Sequence, residues 1–256
     1  MKIIKRAALG VAFVAALAFV AGCQGSKSTP GGDGGTVTKD ASQELIDAIK
    51  KTNETSYSFS MTLGSLGEMT GAVDPASKAV KAGVAIEQEG TGFSFDMIVL
   101  GTDMYMKMDL GGIAMPGMPA GKYMHLDGSK VTSLEKFGLK DLEDPTQAAE
   151  LMKSLVTVEK TVDGAFKGTI DVTKLETLDE EIKDLGDKAK SIPFEATVDG
   201  EGRLTRMTMT LPAGDATPEM KIELKYFDFG EATKITKPAD SEVVEAPAEV
   251  YQMIAS

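Results

Sequence analysis

The chain has 256 residues, 42% of them hydrophobic, with 39 acidic side chains against 27 basic. That is enough sequence for one sizeable domain, and a formal charge of −12 without any basic stripe disfavours nucleic acid and electrostatic docking onto anionic lipid headgroups. One cysteine and one histidine exclude a disulfide framework and any Cys/His cluster for zinc or iron–sulfur.

Lys2, Lys5 and Arg6 precede an apolar run, Ala7 to Val20, that is too short to span a bilayer comfortably. Val20-Ala21-Gly22-Cys23 closes the run. Charged start, apolar stretch and small residues before a cysteine follow the order of a bacterial lipobox, with Val20 where Leu is commoner. Residues 1–22 therefore read as a lipoprotein signal peptide, and Cys23 as the residue whose sulfur takes a diacylglyceryl group. The plain alternative is a secretory signal whose cysteine stays free. Removing 1–22 takes away three basic and no acidic residues, leaving 24 against 39 and a net charge of −15. Two acyl chains on one cysteine anchor a protein stably, and no later segment is apolar over ~18 consecutive residues. The expected location is the outer face of the cell membrane, exported and lipid-anchored. Residues 23–39, "CQGSKSTPGGDGGTVTK", have a composition that cannot build a core and read as a flexible tether with a reach of roughly 20–25 Å. Residues 40–256 then make up a single domain, expected to be monomeric.

Asp40-Ala41-Ser42-Gln43 reads as a helix N-cap with Gln three residues on, and Leu45, Ile46 and Ile49 share the following face. Strands come next. "YSFSMTL" sets Tyr57, Phe59, Met61 and Leu63 on one face and Ser58, Ser60 and Thr62 on the other. The same alternation gives Val80, Ala82, Val84 and Ile86, then Phe93, Phe95, Met97 and Val99, then Met104, Met106 and Met108. A second helix is expected near 145–155, where Pro145 stands at N1, and a third near 174–190, opened by the capping box Thr173-Lys174-Leu175-Glu176. Alternation returns at Thr205, Met207, Met209 and Leu211, and at Met220, Ile222, Leu224 and Tyr226. Asp-Gly pairs at 127–128, 163–164 and 199–200 read as hairpin turns, Gly supplying the positive φ of a type I′ turn. The sum is an α+β domain: a large antiparallel sheet of nine to eleven strands, with a few helices on one side. A sheet of this width with one apolar face curls.

Little in the chain points to catalysis, and no enzyme activity, cofactor or metal is expected. His125 stands near Asp127 and Ser129, but the local order fits no nucleophile elbow. "TVDGEGRL" resembles a fragment of a calcium loop without the spaced oxygen ligands or the closing Glu, and a hairpin turn is the simpler reading. The methionines carry more. Residues 103–119, "DMYMKMDLGGIAMPGMP", hold five of the 15 in the chain. Met104, Met106 and Met108 alternate on one strand and point to one face. Three thioethers suit Cu(I), a packed core uses Met as gap filler, and a Met-rich face adapts to acyl chains of different shape. Residues 110–121, "LGGIAMPGMPAG", are free of charge and too rich in Gly and Pro for a helix or regular strand.

The C-terminal third narrows the choice. "PFEATVDGEGRLTRMTMTL" and "MKIELKYFDFGEATKITKPADSEVV" carry an acidic-Gly turn at Asp199-Gly200, an alternating strand from Met207 to Leu211, the element Asp228-Phe229-Gly230, and an apolar–polar stretch from Ile235 to Pro238. Together with the lipobox and the helix leading into "YSFSMTL", these motifs resemble the actinobacterial LppX/LprG/LprF envelope lipoproteins, with Ala232 where Pro is common. The resemblance implies a half-barrel sheet similar to that of the LolA and LolB carriers, helices over its concave apolar face, and an apolar cavity between them. It implies a membrane-anchored lipoprotein that binds an acylated lipid or glycolipid and carries it within the cell envelope. The residues expected to line the cavity are Tyr57, Phe59, Met61, Val84, Ile86, Phe93, Phe95, Met97, Met104, Met106 and Met108, with Ile113, Met115 and Met118 on a lid loop at its mouth. Two alternatives stand beside it: a surface or scaffold lipoprotein with a filled core and no ligand, and a Met-based copper-binding lipoprotein.

Overall fold

A computed structural model describes residues 39–64, 67–88, 91–109, 111–112, 121–130, 152–174, 185–214, 218–231 and 234–255. Residues 1–38, which hold the expected signal peptide, Cys23 and all but the last residue of the expected tether, lie outside the described residues, as do Ile113, Met115 and Met118. Lys39 already belongs to a helix.

The first helix, α1 (Lys39–Thr52), lies where the sequence places one but begins at Lys39, so Asp40 falls inside its first turn and is not its N-cap. Five hairpin-linked strands follow: β1 (Tyr57–Leu63), β2 (Glu68–Asp74), β3 (Ala79–Gln88), β4 (Thr91–Leu100) and β5 (Asp103–Asp109). β6 (Tyr123–Leu126) pairs with β5. A second meander comprises β7 (Leu155–Val162), β8 (Ala165–Ile170), β9 (Ile192–Val198), β10 (Leu204–Leu211) and β11 (Met220–Phe227). β11 pairs with β1, so the two meanders join into one open sheet. β12 (Val243–Glu245) then adds to the far edge, parallel to β6, and α2 (Ala248–Ala255) follows. The order is β12-β6-β5-β4-β3-β2-β1-β11-β10-β9-β8-β7, twelve strands, antiparallel except for the β12–β6 pair.

The fold is thus dominated by one large antiparallel sheet with few helices. It is wider than the nine to eleven strands expected. The reason lies in elements with weak alternation: β2 places Gly71 at an inward position, and β12 has only three residues. The expected second and third helices are not seen as such. Met152–Ser154 is helical and 145–151 lie outside the described residues; Val172–Lys174 and Gly186–Ser191 are 3-10 turns, with 175–184 likewise outside. α1 packs against β7 and β10 and buries Ala41, Leu45, Ala48 and Ile49. Thr52 fastens its end, where the hydroxyl accepts the Leu204 N–H at 2.9 Å. No helix among the described residues is long and apolar enough to cross a membrane.

The Asp-Gly pairs have three different uses. Asp163-Gly164 is the two-residue turn between β7 and β8, with Gly164 at φ 72°. The turn from β9 to β10 runs over Asp199 to Arg203, and the positive φ falls on Gly202, not Gly200. Asp127-Gly128 is not a hairpin: it leads into the 3-10 turn Gly128–Lys130. There a Cβ on Gly128 would stand 1.8 Å from the Thr102 carbonyl oxygen, so glycine is required for close approach.

Gly71 obeys the same rule inside the sheet. A Cβ at this position would lie 2.3 Å from the Lys81 carbonyl and 2.5 Å from the Phe59 ring. Gly71→Ala should therefore cost ~1–3 kcal/mol through overpacking. Gly92→Ala, where nothing lies within 4 Å, should leave the urea midpoint nearly unchanged. Equal midpoints for the two variants would refute the packing described here.

Candidate functional site

Strand register builds the site. Tyr57, Val73, Val80, Val99, Met104 and Leu126 pair successively from β1 to β6. The adjacent row runs Phe59, Gly71, Ala82, Met97, Met106 and Met124, and a third runs Met61, Met69, Val84, Phe95 and Met108. Ile86 faces Phe93 beyond them. All eleven residues singled out in the sequence thus share one face. That face continues through β11, β10 and β9, where Leu224 pairs with Met207 and Met207 with Ala196, while Ile222 pairs with Met209 and Met209 with Phe194.

Burial divides the face along the strand direction. Tyr57, Val99 and Met104 are at most 1% exposed, and Phe59, Met97 and Met106 are also buried. Met61, Val84, Ile86, Phe93, Phe95 and Met108 are only half-buried. Over β1 to β5 the face is therefore closed at one end and half-open at the other, with Met69 buried in the half-open row, whereas on β9 and β11 Phe194 and Ile222 are buried at that same end. The segment 110–122 leaves from the half-open end after Asp109 and returns to it at Tyr123, the register partner of Val243. Across β4, β5 and β6 the paired residues Met97, Met106 and Met124 put three thioether side chains side by side in the dry part, where gap filling accounts for them.

The closed end is finished by the Asp228-Phe229-Gly230 element. Asp228 and Gly230 both have positive φ, at 55° and 73°, and Gly230 N–H donates to the Ser56 carbonyl at 2.8 Å. Phe229 is thereby turned toward Tyr57, at 6.3 Å between centroids, and Tyr57 meets Tyr226 edge-on at 5.5 Å. The Arg203 guanidinium covers Phe229 at 4.2 Å and is held by Asp199 at 2.8 Å and Glu201 at 3.1 Å. "TVDGEGRL" is thus a turn whose carboxylates hold an arginine over an aromatic floor. Asp199 also accepts the backbone N–H groups of Glu201 and Arg203.

His125 takes part in a different arrangement from the one weighed in the sequence. Ser129 donates its hydroxyl to Asp127, whose carboxyl is held at about 2 by hydrogen bonds from Ser129 and Lys130. His125 instead stacks on Tyr105 at 4.8 Å, with Nε2 3.0 Å from Asp103 on β5 and Nδ1 2.9 Å from Glu245 on β12. A neutral imidazole has one N–H, so carboxylates at both nitrogens call for the imidazolium. Burial, the largest single influence, pulls the pKa down; hydrogen bonds to Glu245 and Asp103 and the charges of both outweigh it, and the pKa rises above 6.5. The charged ring ties β12 to the sheet, beside the Ala246 N–H donated to the His125 carbonyl and the Asp127 N–H donated to the Tyr251 hydroxyl, both at 2.9 Å. Among the described residues no group of three or more His, Cys, Asp or Glu is placed to hold a metal ion.

The sequence reading passed over the β2, β6 and β9 contributions. Ile192, Phe194 and Ala196 on β9 alternate buried with exposed Pro193, Glu195 and Thr197 as strictly as β1 does, and that signal was available. Asp103 and Glu245 lie 22 and 120 residues from His125, and no local pattern announces them.

No family model matches the chain, and no curated protein matches it. Among solved structures it is similar to an uncharacterized conserved protein from Thermus thermophilus, with 14% identity and a TM-score of 0.36 over 79% of this chain and 98% of that one.

Two outcomes are expected from this geometry. Met106→Ala should cost ~2–5 kcal/mol, as in a close-packed core, and Met108→Ala well below that range; equal losses in urea unfolding would contradict the burial gradient. The His125 clamp has a folded pKa above the unfolded value, so its contribution is full below pH ~6.5 and disappears as pH rises through the raised pKa. Stability should fall across that window in the wild type and stay flat there in His125→Gln. With one histidine in the chain, its ring resonance gives the titration directly, and a midpoint at or below 6.5 would exclude the clamp.

Proposed function

We propose that the chain is a membrane-anchored lipoprotein that binds an acylated lipid or glycolipid against the apolar face of its sheet and carries it within the cell envelope. The observation that carries this reading is the continuous apolar face, closed at the Tyr57 end and half-open where Met61, Phe95 and Met108 stand. A half-barrel curvature, with α1 and further helices over a concave face, would turn it into a trough for acyl chains. Tails would lie along flexible methionines, which adapt to chains of different shape, and the headgroup would stay at the half-open end. The lipobox at Cys23 supports anchoring at the outer face of the membrane, and the resemblance to the LppX/LprG/LprF lipoproteins supports the ligand class. The uncharged residues 110–121, with Ile113, Met115 and Met118, would form the lid, since a chain of net charge −15 can approach an anionic bilayer only through apolar groups. No catalytic step is part of this reading.

A second reading has one observation in its favour: Met97, Met104 and Met106 are packed as core, so the face is at least partly filled by its own side chains. Native mass spectrometry of residues 40–256 separates the two. Lipid-sized mass increments lost on organic extraction are expected for the carrier. A bare mass indicates a filled scaffold, and a copper adduct indicates thioether coordination. Phe95→Asp and Met108→Asp should abolish the lipid increment, with the urea midpoint read alongside to separate loss of ligand from loss of fold, since both side chains are partly buried.

A further inference from the structure

The opposite face of the sheet holds a concavity, in a place the lipid reading does not use. Two adjacent rows of outward-facing residues cross β7 to β11. In one, Thr157 pairs with Thr169 and Thr169 with Pro193, while Thr210 pairs with Lys221. In the next, Glu159, Lys167, Glu195 and Thr208 pair in succession. Short hydroxyl side chains form a floor between longer ones, and the result is a shallow groove of about 480 Å³, within the range of small-ligand sites.

Thr208 gives the groove its chemical character. It is only 7% exposed, it lines the groove, and its hydroxyl makes no hydrogen bond to any described residue. Buried hydroxyls are normally paired, because leaving one without a partner after removing its water is costly. Thr157 and Thr169, by contrast, satisfy each other at 2.8 Å. The charges narrow the ligand class. Glu159 and Lys167 pair at 3.2 Å, while Glu195 and Lys221 form no ion pair among the described residues. Two carboxylates and two ammonium groups leave the lining without net charge. Neither an anion nor a cation is selected, and the lining offers hydroxyl, carboxylate and ammonium groups together with threonine methyls and the Pro193 ring.

We propose that this groove binds a neutral saccharide, whose hydroxyls both donate and accept while its C–H faces rest on methyl groups. Thr208 supplies the buried hydroxyl contact, and Glu195 and Lys221 take hydroxyls from the two sides. Met207 and Met209 flank Thr208 in sequence and point to the apolar face, so the sheet itself separates the groove from the lipid trough. The two sites fail or stand independently.

The test is titration of the purified chain with maltose, followed by amide resonances of β8 to β11, with glucuronate and inorganic phosphate as charged controls. Phosphatidylcholine vesicles with and without a glucosyl lipid distinguish a membrane-borne sugar from a free one. Saturable shifts confined to the groove are expected with maltose or with the glucosyl vesicles, and at least about tenfold weaker binding in Thr208→Val. Valine keeps the shape and removes only the unpaired hydroxyl, so this variant should unfold no earlier than the wild type. Absence of saturable shifts with both sugar probes, a response to phosphate alone, or unchanged affinity in Thr208→Val would overturn the proposal.

Discussion

A side chain in a β-strand points opposite to its neighbour, so register alone fixes which residues share a face. In this molecule that constraint acts across twelve strands at once. A slip of one residue in β4 would turn Met97 and Val99 to the opposite face and bring Asp96 and Ile98 to the apolar one; in β5 it would exchange Met106 with Lys107. Each strand is therefore held in place by the apolar identity of its neighbours rather than by any one strong bond. The outer face adds cross-strand ion pairs such as Lys107–Asp96 at 3.0 Å and Lys167–Glu159 at 3.2 Å. These are exposed enough to be screened and contribute little beyond confirming the register.

The face has two ends, and they are treated differently. At one, the β9–β10 turn and the Asp228-Phe229-Gly230 element meet around Tyr57, with Arg203 as lid to the aromatic floor. Two conspicuous sequence motifs thus serve a single purpose, which is to seal the side of the sheet where β1 begins. At the other end the half-buried row of Met61, Val84, Phe95 and Met108 has no such seal among the described residues. Over β1 to β5 the two ends of the face thus differ in burial, most residues of the Met61 row being half-buried and those of the Tyr57 row dry.

The legible parts of the fold were those where local pattern and tertiary role coincide. β1, β3, β4, β5, β10 and β11 alternate in sequence, although Ile98 on β4 and Tyr105 on β5 are also buried on the opposite face, where they pair and Tyr105 stacks on His125. β2 was hidden by Gly71, which yields its inward volume to the Phe59 ring, and β12 by its shortness and by a parallel partner more than 100 residues earlier. Asp127-Gly128 looked like a turn because glycine usually means positive φ, whereas here it means proximity to the Thr102 carbonyl. The same limit applies to the site. The apolar face could be read residue by residue, but its division into closed and half-open parts depends on what lies over each row. Likewise the partners of His125 come from β5 and β12, and only the folded sheet brings them to its two nitrogens.

Volume along the second row explains why methionine is used where it is. From β1 to β6 the row reads Phe59, Gly71, Ala82, Met97, Met106, Met124, so two very small residues sit between a ring and three long flexible chains. The Phe59 ring leans over Gly71, at 2.5 Å from where a Cβ would be. That uses the space of one small residue and leaves the region over Ala82 to be filled from its other side. Branched or aromatic neighbours have few rotamers with which to reach such a gap, whereas an unbranched thioether with three rotatable bonds reaches it at little strain. The same property that lets Met97 and Met106 close the dry part of the face would let Met61 and Met108, in the half-open row beside it, yield to a ligand. One residue type serves packing in the dry rows and, on the proposed reading, would serve adaptability where the row is half-buried.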